Sequence, residues 1–505
     1  MAGNNLDFPG DYNIGKIEII TAAGKKLPIR MGSINELNIY EDIESNALTG
    51  SASIIDSNNI ISNLPFQGLE RLSFKLSTPG SGNDIISSID ASEESGYPFH
   101  IYALTDRVNL SENAMQYIIH FGSKELMRNT RVRVSQAYKG DIHLSAVAIL
   151  RDKNGLNSRK RFTYEPTRNQ DKFVMPNVRP FDAINLLASK ALSKNAKGSG
   201  YYFYETTKGF HFRSYESMLS LQGTYPRDEI VTLSYEPKAL PRPDNKRKFR
   251  NQHNIDSYEF IQHFDTLTQQ AMGTYASRVI IHNLYDKSYS ISDYSYHDRY
   301  FELFHTDKIG VMKHRTFPVS ESPVDSDPKE IDSTRDKSVS DYPNSHVRLQ
   351  GSTRFLHNEN TGMFGTDPQS EGLTEAIRIS QENQVNNSSI LKIVMPGHSY
   401  LQAGDVVYFE LPSKERNKES RGGYGFDEFH SGRYLIKRLR HRVIQDEYKM
   451  VLECIKDSVR TPLDSTDERY PGKQPPLKSN IDLYEDDKSN IGNKSSPGHP
   501  SNRTY

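Results

Sequence analysis

The chain has 505 residues, enough for about three domains and more than one hydrophobic core. Its 63 basic and 64 acidic side chains leave a formal charge of -1, so no long-range field draws it to nucleic acid or to an anionic membrane surface. One cysteine excludes internal disulfides and cysteine-based zinc sites, and no stretch approaches the roughly 18 apolar residues of a membrane span.

The opening residues, MAGNNLDFPGDYNIGK, lack the charged and apolar regions of a classical secretion signal. Leu37 and Ile39 then mark one strand, the segment Asn46 to Gly50 a turn, and Ala52 and Ile54 the inward face of a second strand. In ERLSFKL, Leu72, Phe74 and Leu76 alternate with polar residues, the period of a half-buried strand. Another hairpin is expected between Phe99 and Phe121, where Met115, Tyr117, Ile119 and Phe121 share a face.

At Gly140 the pattern changes. Asp141 is placed to cap a helix carrying Ile142, Ala146, Ile149 and Leu150 on one side, with Gly155 just beyond it. Pro180 opens a second helix with Phe181, Ile184, Leu187 and Ala191. YYFYETTKGFHFRSY reads as a hairpin turning at Lys208 and Gly209, and Phe260, Phe264, Leu267 and Ala271 suggest a third helix ending near Gly273. Strand signals return in YASRVIIHNLYDKSYSI, ILKIVMPGHSYLQAGDVVYFELP and RYLIKRLRHRVIQDEYKMVLECI. Cys454 falls on the buried face of the last of these, with Tyr448, Met450 and Leu452, as a structural thiol. The polar stretches 320–344 and 413–431 read as surface insertions.

A gapless superposition of Tyr102 on Tyr434 brings Lys124 and Glu125 onto Lys456 and Asp457, a faint sign of internal duplication. After Ser458 the chain becomes rich in Pro, Ser, Asn and Asp and cannot offset its ordering cost alone. Within it Ile481, Leu483 and Tyr484 are candidate partner-binding residues that would anchor an extended segment.

No catalytic, cofactor or metal motif emerges. GHSYL lacks the second glycine of a nucleophile elbow and, lying between two strand candidates, reads as a hairpin loop. RGGYG has neither the lysine nor the helix of a phosphate loop and reads as a flexible loop. Asp427, Glu428 and His430 crowd one loop without a regular element to fix their geometry. His211 and His441 sit in strand patterns without partners at diagnostic spacing. The basic run PRPDNKRKFR fits a proline-stiffened, solvated linker in a chain of balanced charge.

Read together, LNIYEDI, ALTGSASIID, GLERLSFKL, VRVSQAYKGDI, MPNVRPFDAI, GSGYYFYETTKGFHFRS, FDTLTQQAMGTYASRVIIHNLYDKSY, LQAGDVVYFELP and SGRYLIKRLRHRV resemble the baseplate hub proteins of contractile-tailed bacteriophages. The resemblance runs over most of Gly15 to Ser458. It implies a β-rich α+β chain with two tube-type β-barrel domains and an α+β outer domain, assembling as a trimeric ring related to the hub part of type VI secretion spike proteins. The expected boundaries are 1–135 for the first barrel, 136–265 for the outer domain, 266–300 with 378–459 for the second barrel, 301–377 for an insertion and 460–505 for an extended tail.

The implied function is structural and not enzymatic: to join the six-fold tail tube to the three-fold central spike and to transmit force during contraction. The implied partners are two further copies of the chain, the central spike protein and a tail tube or tube-initiator protein, with tape measure and baseplate wedge proteins as further candidates. No membrane insertion is implied, and DNA would be passing cargo of the channel. The implied location is the virion's tail baseplate, after assembly in the host cytoplasm. Two alternatives are a cell-wall-degrading or polysaccharide-binding tail enzyme, disfavoured by the absence of tryptophan, and the hub of a bacterial contractile secretion system.

Overall fold

The computed structural model describes residues 9–459, apart from 59, 64–65, 80–87, 113, 221–229, 236–252, 285–286, 308–338, 353–355, 359–362, 366–367, 417–423, 428 and 446, together with 484–485. The strands that organise it are, in chain order, β1 (Ile34–Asp42), β2 (Thr49–Asp56), β3 (Arg71–Ser77), β4 (Phe99–Ser111), β5 (Ala114–Gly122), β6 (Phe162–Tyr164), β7 (Tyr201–Thr206) and β8 (Gly209–Ser214). They continue as β9 (Ser257–Gln262), β10 (Ala276–Asn283), β11 (Ser288–Ser295), β12 (Val347–Gly351), β13 (Ser389–Pro396), β14 (Val406–Glu410), β15 (Gly432–Ile444) and β16 (Glu447–Lys456). Four helices matter: α1 (Lys124–Arg131), α2 (Ile142–Arg151), α3 (Pro180–Lys190) and α4 (Pro368–Asn387).

Two antiparallel arrays form one continuous sheet. The first runs β1-β2-β5-β4-β3 and the second β9-β13-β16-β15-β14, and β15 hydrogen-bonds to β1 to join them. Period-two burial drives both. In β2, Gly50, Ala52 and Ile54 point inward while Ser51, Ser53 and Ile55 are only half-buried. In β16, Tyr448, Met450, Leu452 and Cys454 are fully buried. The alternation predicted around the lone cysteine is therefore present, and burial pushes its thiol pKa up, away from reactivity.

The arrays repeat in detail as well as in order. Each has a β-bulge just after an isoleucine, between Ile101 and Ala103 in β4 and between Ile436 and Arg438 in β15. Each has a buried carboxylate immediately before the last strand named in its order, Glu70 before β3 and Asp405 before β14. Glu70 accepts from the Gln67 N–H at 3.0 Å, and Asp405 from the Gln402 N–H at 3.1 Å. The Ile101 N–H donates to the Glu70 carbonyl at 2.9 Å, and the Ile436 N–H to the Asp405 carbonyl at 2.8 Å. The gapless superposition was therefore misaligned. Phe99, not Tyr102, holds the place of Tyr434, since Phe99 faces Leu72 on β3 as Tyr434 faces Val407 on β14. In the returning strands the buried row Tyr117, Ile119, Phe121 matches Met450, Leu452, Cys454, a one-residue shift from the superposition. The bulges and unequal turns explain the slippage.

Between the arrays lies the α+β region. Helices α2 and α3 pack on β7, β8 and β6 through Ile142, Ile149, Phe162, Phe181, Phe203 and Phe210. Pro180 occupies the first turn of α3 as predicted. Asp141 stands at the N-cap of α2, but its side chain makes no capping hydrogen bond. The predicted hairpin is β7–β8, with Gly209 at φ +132° in its turn.

Two expectations fail, and one element goes unpredicted. Phe260 belongs to strand β9, paired with β13, and the helix that follows among the described residues is Thr266–Ala271. Phe264 and Leu267 are exposed, so their helical spacing does not mark a buried face. Helix α4 was not foreseen at all: its buried side includes Glu371, Thr374, Glu375, Ser380, Gln381 and Gln384 beside Ala376, Ile377 and Val385, which erases the apolar stripe that sequence reading depends on. GHSYL does join β13 to β14, yet those strands do not pair with one another, so it is a crossover and not a hairpin loop.

Strand membership also departs from simple chain order. Val231–Ser234 pairs with β14 and β9 with β13, so both belong to the second array. Strands β10, β11 and β12 form a separate three-stranded sheet whose inner face, with Val279, Ile281 and Tyr294, packs on α4.

Candidate partner interfaces

The joint between the arrays carries the longest run of ion pairs along one strand pair among the described residues. Strands β15 and β1 run antiparallel without interruption, Arg438 facing Asp42, Arg440 facing Tyr40, Arg442 facing Asn38 and Val443 facing Leu37. On the wet face, Arg438 donates to Asp42 at 2.8 Å and to Glu44 and Glu453 at 3.1 Å each. Glu36 accepts from both Arg440, at 2.6 Å, and Arg442, at 2.8 Å. Exposed pairs of this kind are individually weak, but a ladder across one strand pair fixes its register.

Beneath the ladder, Glu41 is fully buried. Its carboxylate accepts from the Thr207 N–H at 2.7 Å and the Ala403 N–H at 2.8 Å, with His441 Nε2 3.6 Å away. Burial is the largest influence and acts to raise its pKa, yet the histidine and the two backbone donors outweigh it and hold the group below its ordinary value. His441 Nδ1 shares a 2.6 Å hydrogen bond with the Tyr448 hydroxyl. One acid thus ties the first array to the turn of the β7–β8 hairpin and to the second array.

A second buried acid–base set locks the α+β region to the first array. Lys160 Nζ lies 3.0 Å from Glu125 and 2.5 Å from Glu205, and Glu205 also accepts from the Leu48 N–H at 2.9 Å. A third closes the C-terminal end of β16. Asp457 accepts from His305 Nδ1 at 2.8 Å and from the Thr306 hydroxyl at 2.6 Å. Burial, its largest influence, raises the Asp457 pKa, but His305 and Thr306 pull it down to about 2. The acid, the imidazole and the hydroxyl invite comparison with a catalytic triad, and the geometry answers it. The second ring nitrogen of His305 is 3.0 Å from the Tyr300 carbonyl and the Thr306 hydroxyl points at the carboxylate, so the imidazole does not face the hydroxyl as a triad requires. These sets hold elements together.

The remaining candidates fall as follows. His430 Nδ1 is 2.8 Å from Asp427, which forms a local turn, and Glu428 lies outside the described residues. Among the described residues no group of three His, Cys, Asp or Glu side chains could hold a metal ion. His211 is buried, shares a 2.9 Å hydrogen bond with Thr206, and burial lowers its pKa to about 3. In RGGYG, Tyr424 and Gly425 sit in a short strand paired with Pro412–Arg416, and Arg421 to Gly423 lie outside the described residues. So do the basic run 241–250 and most of 320–344. Of the tail candidates, Ile481 and Leu483 lie outside the described residues, while Tyr484 and Glu485 pair antiparallel with Tyr164 and Thr163, extending β6 of the same chain.

No family model matches the chain. A curated protein of Vibrio phage KVP40, described as a probable baseplate hub protein, is 19% identical over 342 residues, covering 68% of this chain and 72% of its own length. The chain is similar to phage baseplate hub proteins. Among solved structures, a tail protein from Neisseria meningitidis MC58 is 10% identical, covers 90% of this chain and 98% of its own, and has a TM-score of 0.45. The 43 kDa tail protein of prophage MuSo2 from Shewanella oneidensis is 8% identical, covers 88% and 99%, and has a TM-score of 0.46. The curated hub carries the comparison, since the likeness to it lies in the sequence itself and extends over most of both chains.

Proposed function

We propose that this hub is a homotrimer at the centre of a contractile phage tail, joining the six-fold tail tube to the three-fold central spike and carrying force between them on contraction. The observation that supports it best is the repeat: two arrays of the same strand order in one chain let three chains present six similar elements on one side and three-fold symmetry on the other. Each array would close as a tube-type barrel. The first occupies 1–135. The second draws on 388–459 together with Val231–Ser234 and β9, the outer domain fills the remainder of 136–265, and β10–β12 with α4 form an inserted lobe.

On this reading the chain performs no catalysis, and its function lies in its contacts. The partners are two further copies, the spike protein and the tube or its initiator, with tape measure and wedge proteins at the periphery, and DNA passes through the channel. The protein would assemble in the host cytoplasm and reside in the virion baseplate. Native mass spectrometry of the full chain, alone and with the spike protein, tests this. A trimer in either sample is expected, and a monomer in both would overturn it.

A further inference from the structure

The repeat is complete in strand order but not in pairing. Within the chain, the second array's β15 is covered along Arg438–Val443 by the first array's β1. Its counterpart in the first array, β4, has no such cover among the described residues. Beyond Ile101 it pairs, among the described residues, with β5 alone, and every residue from Thr105 to Ser111 is exposed. The counterpart of β1 is β9, the outermost strand of the second array, paired among the described residues with β13 alone. Each array therefore leaves open one half of a joint that the chain elsewhere makes with itself.

We infer that the open edge of β4 from Thr105 to Asn109 pairs antiparallel with the open edge of β9 from Tyr258 to Gln262 of a second copy of this chain.

The register can be transferred from the internal joint. Gln116, which faces Val108, holds the place of Lys449, which faces Arg442, so Val108 corresponds to Arg442. Ser51 faces His120 and Lys392 faces Glu453, equivalent positions of the returning strands, so Glu259 beside Lys392 corresponds to Asn38 beside Ser51. Arg442 faces Asn38 inside the chain, and Val108 should then face Glu259 of the next copy. By the same steps Asn109 faces Tyr258 and Thr105 faces Gln262.

An independent check comes from the bulges. Strand β4 carries one extra residue between Thr105 and Val108, and β9 carries one between Phe260 and Gln262. Neither irregularity exists at the matching place in the internal joint. In the transferred register the two fall opposite one another, so Thr105, Asp106, Arg107, Val108 and Asn109 run without a break against Gln262, Ile261, Phe260, Glu259 and Tyr258. An extra residue on one edge alone would have broken the ladder. Matched insertions restore it. The exposed Val108 and Ile261 would be covered by such a contact.

The joint is head-to-tail, first array to second, so repetition closes a ring or extends indefinitely. The proposal deepens the hub reading by naming the surfaces through which copies meet, and the two can fail separately. The test is a full-length Val108→Cys, Glu259→Cys double variant, oxidised at micromolar concentration. The native Cys454 is buried and does not interfere. Residues directly opposite one another have Cβ atoms about 4.5–5.5 Å apart, close enough for a disulfide after small adjustment.

Reducible species of more than one chain are expected on a denaturing gel, ending at the size of the closed ring. Either single variant should give none, and a mixture of the two singles should give linked dimers. As a control of geometry, Asn38→Cys with Arg442→Cys should cross-link within one chain, losing two hydrogens and giving no species larger than one chain. An oligomer by native mass spectrometry that never cross-links through 108 and 259 would overturn the joint and leave the hub reading standing. A protein that remains a monomer and does not cross-link would overturn both.

Discussion

At the scale of single residues, the buried acids decide how the three parts of the chain stay together. Glu41 satisfies two backbone donors from different segments. Glu41→Gln exchanges one accepting oxygen for an amide group that confronts an N–H, and the mutant should lose about 2–3 kcal/mol, read as a lower urea midpoint at unchanged slope. Because the folded-state pKa of Glu41 is held below its ordinary 4.5, its stabilisation is present above that value and is lost as pH falls through the folded pKa. The difference between wild type and mutant should therefore shrink on acidification. Asp405 has the opposite sign. Burial raises its pKa to about 7 despite its hydrogen bonds from Gln402, so its contribution is full at low pH and is lost as pH rises through about 7. Asp405→Asn keeps the shape and stays neutral. Melting temperatures at about pH 5 and pH 8 should show wild type losing ground to the variant at the higher pH, and parallel behaviour would mean the site is better solvated than its burial indicates.

At the scale of elements, strands with alternating burial were readable and polar helices were not. The residues of β1, β2, β3, β5, β15 and β16 carry their inward faces openly, whereas α4 buries glutamates and glutamines beside its apolar residues and shows no stripe. Strand β9 was mistaken for part of a helix because Phe260, Phe264 and Leu267 happen to follow helical spacing, while the hydrogen-bonding partner that makes it a strand, β13, lies more than a hundred residues away in sequence. Close approach between strands also leaves a mark that hydropathy does not explain. Gly50 sits on β2 where an added Cβ would overlap the Phe121 ring and crowd the Asn38 carbonyl. Gly50→Ala should push β2 away from both neighbours and cost on the order of 1–3 kcal/mol, while Gly32→Ala, which meets open space, should be near neutral. Thermal unfolding of the pair checks the contrast, and equal melting temperatures would mean that the Phe121 ring moves aside at little cost.

At the scale of the whole molecule, the duplication was visible only as a misaligned echo, because bulges and turns of different length shift equivalent residues by different amounts. Strand order preserves what alignment blurs. The candidate contact residues were less legible still, since a short apolar cluster in a polar tail names no surface. The described part of that tail supplies one: Tyr484 and Glu485 lie along the open edge of β6. This bears on where the tail can be cut. Ser458 is buried, its hydroxyl accepting from the Asp307 N–H at 2.8 Å and sharing a hydrogen bond of 2.9 Å with Thr306, so a truncation must spare it. Removal of residues 461–505 should leave the two arrays folded, with a melting temperature close to that of the full chain, because each array is built from strands that end before residue 459. The local consequence should be distinct. The amides of Phe162–Tyr164 that face the tail lose their cover and should exchange with solvent faster, while β7 and β8 stay protected. Unchanged exchange at 162–164 would mean that Tyr484 and Glu485 do not hold the edge in solution, and the same truncated hub, tested for incorporation into tails, separates a strap that only seals its own sheet from one that also fastens a neighbour.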